Sequence, residues 1–244
     1  MIVIHIDSQT DTSFLKECYK NIKDAIVLYN PTKEEVNKTL TAYPDDDVMM
    51  MGHGSSSGLF SVDWKDNVID YTNVHLLKGR NCIGIWCWAK EFARNYGLKG
   101  YFTSMFVSNE GEARSFGFLA DNKEVYDEVI FFAKAVGNLI EDKTPYEEWV
   151  GRLQSIADMD KPFVEYNYMN MEYFDGTQKP KFTGYTTEIG RDIVEDMEFP
   201  ADSEVDMWFE DYCLENGIEG DWAREIAYPI FVAGWNSHRF AEEM

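Results

Sequence analysis

The sequence has 244 residues, of which 45% are hydrophobic and 15% aromatic, a composition that excludes a disordered chain and allows a buried core. Its formal net charge of −22 excludes nucleic acid as a partner, because neutralising phosphates requires Lys and Arg. The N-terminal residues do not form a secretion signal, and no apolar run is long enough to cross a membrane. We therefore predict a cytoplasmic protein without membrane contact.

Strands and helices alternate along the first 110 residues. Short apolar runs predict five strands, and amphipathic or capped segments predict helices between them. The predicted strands are 1–7, 25–30, 48–53, 81–87 and 99–108, and the predicted helices are 13–22, 31–43, 73–80 and 88–97. This order predicts an α/β fold, a three-layer sandwich with a mostly parallel central sheet.

The pattern changes after residue 110. We predict a loop at 108–115, long helices at 122–140 and 144–157, and a strand at 162–176. From Glu195 to Met244 the sequence has 14 acidic residues and two arginines, and it reads as an acidic, Trp-rich pair of helices. We therefore predict a domain at 1–198 and an appended C-terminal helical segment at 199–244 that packs on it.

Four cysteines, Cys18, Cys82, Cys87 and Cys213, show no paired C-x-x-C spacing. That pattern indicates reduced thiols and neither a disulfide framework nor a zinc site. No metal ligand set is therefore expected. Cys82 begins the strand that Cys87 ends, so we expect Cys82 to be structural and to lie at the opposite end of that strand from Cys87.

His53 and Cys87 each lie at the carboxyl end of a predicted strand, where parallel sheets bind their ligands. If the two strands are neighbours, His53 lies within reach of Cys87, and the pair can act as base and nucleophile. The helix that begins after Cys87 favours its thiolate. The backbone N–H groups of Gly54 and Cys87 would then form an oxyanion hole.

The strand–His53–Gly54 block and the block LLKGRNCIGIWCWA around Cys87 together resemble the caspase-like cysteine peptidases, which include caspases, gingipains, clostripain and metacaspases. The resemblance covers about residues 1–110 and extends more weakly to about residue 190. It implies a caspase-like α/β sandwich and an endopeptidase that cleaves protein or peptide substrates through an acyl-enzyme. It assigns His53 as general base or acid, Cys87 as nucleophile and Gly54 as oxyanion donor. No cofactor is implied, apart from the Ca²⁺ that activates some members.

Two features depart from that family. Trp86 stands where a small residue usually precedes the cysteine, and the 34-residue spacing from His53 to Cys87 is short. The large side chains of Trp86 and Trp88, on either side of Cys87, also fit a filled, closed site better than an open one. The alternative function is therefore a catalytically inactive caspase-like or flavodoxin-like binding module.

Several loop residues are candidates for substrate contact. The loop that begins at Ser55 flanks the site, and Glu110, Glu112 and Asp63 are candidates for an acidic pocket that prefers Arg or Lys. The alternative for these carboxylates is ordinary solvated charge. Ser56 formally completes a G-x-S-x-G motif, but the hairpin predicted after it is not the helix that a nucleophile elbow needs.

Overall fold

The computed structural model describes residues 1–7 and 12–180. The strands are β1 (Ile2–His5), β2 (Ile26–Tyr29), β3 (Val48–Met51), β4 (Gly54–Ser55), β5 (Gly58–Phe60), β6 (Asn67–Ile69), β7 (Asn81–Ile85), β8 (Lys99–Thr103) and β9 (Met171–Asp175). The α-helices are α1 (Lys33–Ala42), α2 (Ala89–Tyr96), α3 (Glu110–Ser115), α4 (Asn122–Glu141), α5 (Trp149–Ile156) and α6 (Pro162–Met169). Short 3-10 helices cover Ser13–Cys18, Val74–Leu77 and Tyr146–Glu148. All of these elements belong to one compact unit.

The larger sheet has six strands in the order β2-β1-β3-β7-β8-β9. Neighbouring strands are parallel except for β9, which runs antiparallel to β8. The predicted α/β class and mostly parallel sheet are therefore confirmed. Strand β2 lies on one side of β1, whereas β3 and the later strands lie on the other side. The direction in which strands are added therefore reverses between β1 and β3, as in doubly wound folds.

The sheet is buried on both faces, which explains its nearly continuous apolar strands. Side chains alternate between the faces, so Met49 and Met51 join a first apolar cluster while Val48 and Met50 join a second. Helices α4, α5 and α6 contribute to the first cluster, and helices α1 and α2 to the second. The result is a three-layer arrangement.

A second, three-stranded sheet of β4, β5 and β6 lies between β3 and β7 in the sequence. Ser55 pairs with Gly58, which closes a two-residue turn, and β5 pairs antiparallel with β6. The hairpin predicted after Ser56 is therefore confirmed as strands β5 and β6. Leu59 and Ile69 from this small sheet join the second cluster and attach the sheet to the main core.

Local sequence signals explain several helix ends. Thr32 and Glu35 form a capping box at the start of α1, and Asp121 and Glu124 form another at the start of α4. Helix α2 ends at Gly97, whose φ of 64° is the left-handed conformation that glycine adopts without strain.

Two predicted segments are wrong in part. The predicted strand at 162–176 is helix α6 followed by strand β9, because Pro162 occupies the first helical turn, where its missing N–H costs nothing. The predicted loop at 108–115 contains helix α3, capped by the Asn109 side chain, which accepts from the Glu112 N–H. The predicted boundary at residue 198 and the segment 199–244 lie outside the described residues.

None of the α-helices within residues 1–7 and 12–180 is both long enough and apolar enough to span a membrane.

Candidate functional site

His53 and Cys87 lie at the same edge of the main sheet. Strands β3 and β7 are parallel neighbours, with Met51 opposite Ile85 as their last pair. The Gly52 N–H donates to the Ile85 carbonyl oxygen at 3.2 Å, so the pairing continues past the strands. His53 and Cys87 follow that last pair by two residues each, and both side chains are half-buried.

The alternation of side chains along β7 indicates which face Cys87 occupies. Ile85 belongs to the first apolar cluster and Trp86 to the second, and continuing this alternation by one residue would direct Cys87 toward the first. Tyr166 of α6 packs against that first cluster. Burial raises the pKa of the Tyr166 phenol, and the charges of Cys87 and Glu91 raise it further, so both groups lie within electrostatic range of the phenol.

Trp86 supports the small sheet. Its side chain is 2% exposed, and its indole N–H donates to the Ser55 carbonyl oxygen at 3.1 Å. A Cβ atom at Gly54 would fall 2.2 Å from the Trp86 Cδ1 atom, so only glycine fits there. The departure from the caspase-like pattern at Trp86 therefore has a structural reason, since its indole packs beneath β4.

The hydrogen-bond pattern of the hairpin orients the Gly54 backbone. The Phe60 N–H donates to the His53 carbonyl oxygen at 2.9 Å, which makes Gly54 and Leu59 a non-hydrogen-bonded pair. In such a pair the N–H groups point away from the partner strand. The Gly54 N–H therefore points out from the edge of β4 and is not used by the pairing with β5. Ser56 lies in the turn of this hairpin, so no nucleophile elbow forms.

The backbone turns sharply immediately after Cys87. Trp88 has φ 70° and ψ 19°, a left-handed conformation that is rare for a large side chain. Helix α2 begins at the next residue, and the Trp86 carbonyl oxygen accepts from the Ala89 N–H at 3.2 Å and the Thr103 hydroxyl at 3.1 Å. Cys87 therefore lies beside a helix N-terminus, where a thiolate is favoured.

His53 stacks against an aromatic ring that sequence reasoning missed. The centroids of the His53 and Trp64 rings are 4.7 Å apart. Trp64 lies in the β5–β6 loop, where the Asp63 carboxylate accepts from the Ser61 hydroxyl at 2.7 Å. That hydrogen bond lowers the pKa of Asp63. Asp63 thus shapes the loop that carries Trp64, and its predicted contact with substrate stays a prediction.

The two glutamates of the predicted acidic pocket make contacts near their own helix. Glu110 pairs with Arg114 at 2.6 Å, one turn along α3. The Glu112 carboxylate accepts from the Ser108 N–H at 2.7 Å and from the Ser108 hydroxyl at 3.0 Å. These contacts favour the alternative of structural and solvated charge, and the acidic pocket stays a prediction.

Tyr166 and Glu91 are further residues near Cys87 that the sequence did not single out. Glu91 lies in the first turn of α2, and its carboxylate accepts from the buried Ser104 hydroxyl at 2.9 Å. Tyr166 was missed because its segment was predicted as a strand. The Lys161–Pro162 step was the available signal, since it marks a helix start and gives Tyr166 a different face.

The remaining thiols and possible ligands have different surroundings. Cys18 and Cys82 are buried, and burial raises the pKa of Cys82 to about 12, whereas Cys213 lies outside the described residues. Residues 1–7 and 12–180 contain no group of three or more His, Cys, Asp or Glu side chains arranged to hold a metal ion. Binding of Ca²⁺ stays a prediction.

Comparison with protein-family models and with curated proteins found no match for the sequence.

Proposed function

We propose that the protein is a cysteine endopeptidase of caspase-like fold with a Cys87–His53 dyad. One observation carries the proposal: His53 and Cys87 stand two residues beyond the paired Met51 and Ile85 on adjacent parallel strands. Parallel strands are about 4.8 Å apart, so residues at equal distances from such a pair start close together. The half-buried state of Cys87, in contrast to buried Cys18 and Cys82, supports a reactive role.

The first chemical step forms the acyl-enzyme. His53 takes the proton of Cys87, and the sulfur attacks the carbonyl carbon of the peptide, so that an S–C bond forms and an electron pair moves to oxygen. The N–H groups of Gly54 and Cys87 stabilise that oxyanion. The carbonyl then re-forms, the C–N bond breaks, and the amine leaves with the proton from His53.

The second step hydrolyses the thioester. His53 accepts a proton from water while the water oxygen attacks the acyl carbon. Breaking the S–C bond returns the thiolate and releases the new carboxyl terminus. Trp64 packs on the His53 ring and limits its rotation, which keeps the base near the thiol.

Digestion of a complex peptide mixture tests this function, because the mixture offers many different residues around each bond and no sequence preference has to be assumed. The full chain and its Cys87→Ala variant are incubated with peptides from a digested proteome, and new termini are identified by mass spectrometry. Cys82→Ala serves as a control for loss of a thiol elsewhere. The proposal expects cleavages that Cys87→Ala abolishes and Cys82→Ala retains. Identical products from the wild type and Cys87→Ala would refute it.

A non-catalytic binding module is the second candidate function. The order β2-β1-β3-β7-β8 is that of flavodoxin-like doubly wound sheets, which bind ligands where the strand order reverses. Here that point lies between β1 and β3, beside His53. The absence of any cleavage in the peptide experiment would favour this function.

A further inference from the structure

The loop between α3 and α4 carries aromatic rings that contact one another. Phe116 and Phe118 have ring centroids 6.4 Å apart and an interplanar angle of 24°. Both rings contact Tyr166, at 5.3 and 5.5 Å. We call Phe116, Phe118 and Tyr166 the aromatic cluster. Phe116 is 42% exposed, and Leu119 on the same loop is fully exposed, so the cluster reaches the surface.

A defined turn at Gly117 holds the cluster together. The Gly117 N–H donates to the Arg114 carbonyl oxygen at 3.0 Å, and the Phe118 N–H donates to the Ala113 carbonyl oxygen at 2.8 Å. These two bonds form a Schellman motif at the end of α3. Gly117 has φ 77°, which a side chain would strain. The two phenyl rings are therefore fixed side by side at the surface, at a cost in exposed apolar area.

The cluster lies at the same sheet edge as Cys87. The Asn167 side chain bonds both backbone groups of Val107, accepting from its N–H at 2.7 Å and donating to its carbonyl oxygen at 3.0 Å. These bonds fix α6 beside the segment that leaves β8, so the neighbouring Tyr166 stands at the carboxyl edge. Burial raises the pKa of the Tyr166 phenol, and the proximity of Cys87 adds to that increase, so the two groups lie within electrostatic range. Tyr166 therefore joins the cluster to the proposed nucleophile.

We propose that the aromatic cluster is the specificity surface of this site and selects a large apolar residue on the amino side of the cleaved bond. The inference rests on the proposed peptidase function. It differs from the Arg or Lys preference of an acidic pocket, because the Glu110 carboxylate is already paired with Arg114. Phenyl rings gain most from contact with another apolar side chain, because that contact removes both surfaces from water.

Labelling of Cys87 with matched covalent probes tests the inference without a cleavage assay. Tripeptidyl acyloxymethyl ketones that differ only in the residue next to the ketone, Phe, Leu, Arg or Asp, are reacted with the full chain. The thiolate displaces the acyloxy group as a carboxylate and forms a C–S bond. Iodoacetamide is measured in parallel, because its rate reports thiol reactivity without recognition of a side chain.

We expect the Phe and Leu probes to label Cys87 about tenfold faster than the Arg and Asp probes. Phe116→Ala should reduce that advantage to about threefold or less and leave the iodoacetamide rate unchanged. Tyr166→Phe keeps the ring and should keep the preference. Tyr126→Ala removes an exposed aromatic side chain from α4, outside the cluster, and should change nothing.

Faster labelling by the Arg or Asp probe would overturn the inference, as would a Phe preference that Phe116→Ala does not reduce. In either case, rapid iodoacetamide labelling of Cys87 would leave the proposed function intact. Slow labelling of Cys87 by every probe and by iodoacetamide would overturn both the apolar specificity and the proposed peptidase function.

Discussion

The indole N–H of Trp86 donates to the backbone carbonyl oxygen of Ser55 at 3.1 Å, which ties the segment that carries Cys87 to the hairpin that follows His53. The bond therefore links the segment that follows β7 to strand β4. It explains how a bulky residue beside the proposed nucleophile is accommodated, because the indole lies under β4 and faces the second apolar cluster.

Trp86→Phe should slow alkylation of Cys87 and lower stability. The substitution removes one hydrogen bond, worth about 1 kcal/mol, and some ring volume. Trp149→Phe is the matched control, because the buried Trp149 indole also donates to one carbonyl oxygen, that of Thr144 at 3.0 Å, in the first cluster. Iodoacetamide rates and urea unfolding measure the two effects. Equal slowing of Cys87 alkylation in both variants would show that the Trp86 bond has no specific role.

Gly54→Ala should disturb the proposed oxyanion donor. The added Cβ would lie 2.2 Å from Trp86 Cδ1 and 2.5 Å from the Gly58 carbonyl oxygen, so the hairpin must move, at a cost of about 1–3 kcal/mol. Gly151→Ala is the control, since nothing lies within 4 Å of its Cβ position on α5, and it should raise stability by up to about 1 kcal/mol. Thermal unfolding and the rate of the Phe probe are measured. A Gly54→Ala protein with wild-type stability would contradict the close contact.

His5 should make the fold sensitive to mild acid. Its ring is fully buried, with Nδ1 2.9 Å from the Tyr19 hydroxyl and Nε2 3.1 Å from the Thr12 carbonyl oxygen. Burial lowers the pKa of His5, so the folded protein takes up its proton less readily than the unfolded chain. Titration of His5 therefore has almost no effect on stability above about pH 6.5 and destabilises the fold as the pH falls below that value.

The test compares urea unfolding of the wild type and His5→Gln at pH 7.5 and 5.5. The wild type should lose up to about 1.4 kcal/mol more than the variant over this interval, because one pH unit below the unfolded pKa corresponds to that energy. The same loss in both proteins would show that His5 is not the titrating group.

Glu112 and Glu110 should differ in their effect on stability. Glu112→Ala removes the acceptor of the Ser108 N–H at the start of α3 and should cost about 1 kcal/mol. Glu110→Ala removes a partly exposed pair with Arg114 and should cost only a few tenths of a kcal/mol. Thermal unfolding separates the two, and equal effects would contradict the capping role of Glu112.

The sequence predicted the parts of the fold that depend on local patterns. Apolar runs such as Val48–Met51 identify buried strands, and the β–α alternation brings their carboxyl ends to one edge. Helix ends at Thr32 and Gly97 follow from capping chemistry. These signals predicted that His53 and Cys87 lie at one edge of the sheet, and the structure shows that their strands are neighbours.

The surroundings of the site depend on contacts between distant segments. Helix α6, which carries Tyr166, is held at this edge of the sheet by the bonds between Asn167 and Val107, 60 residues away in sequence. The alternating aromatic residues at 162–169 were also typical of a strand, and the packing of α6 on the first cluster overrode that pattern. Trp64 reaches His53 only through the fold of the β5–β6 loop.

Alkylation of Cys87 tests the central claim most directly. The folded full chain is treated with limiting iodoacetamide at about pH 6, where an ordinary thiol with a pKa near 8.5 is almost entirely protonated. The rate at Cys87 is followed by peptide mass spectrometry and compared with that of glutathione and of the His53→Ala protein. The dyad predicts that Cys87 reacts about tenfold faster than glutathione or more, and that His53→Ala removes this advantage. A rate no greater than that of glutathione, or one that His53→Ala leaves unchanged, would contradict the dyad.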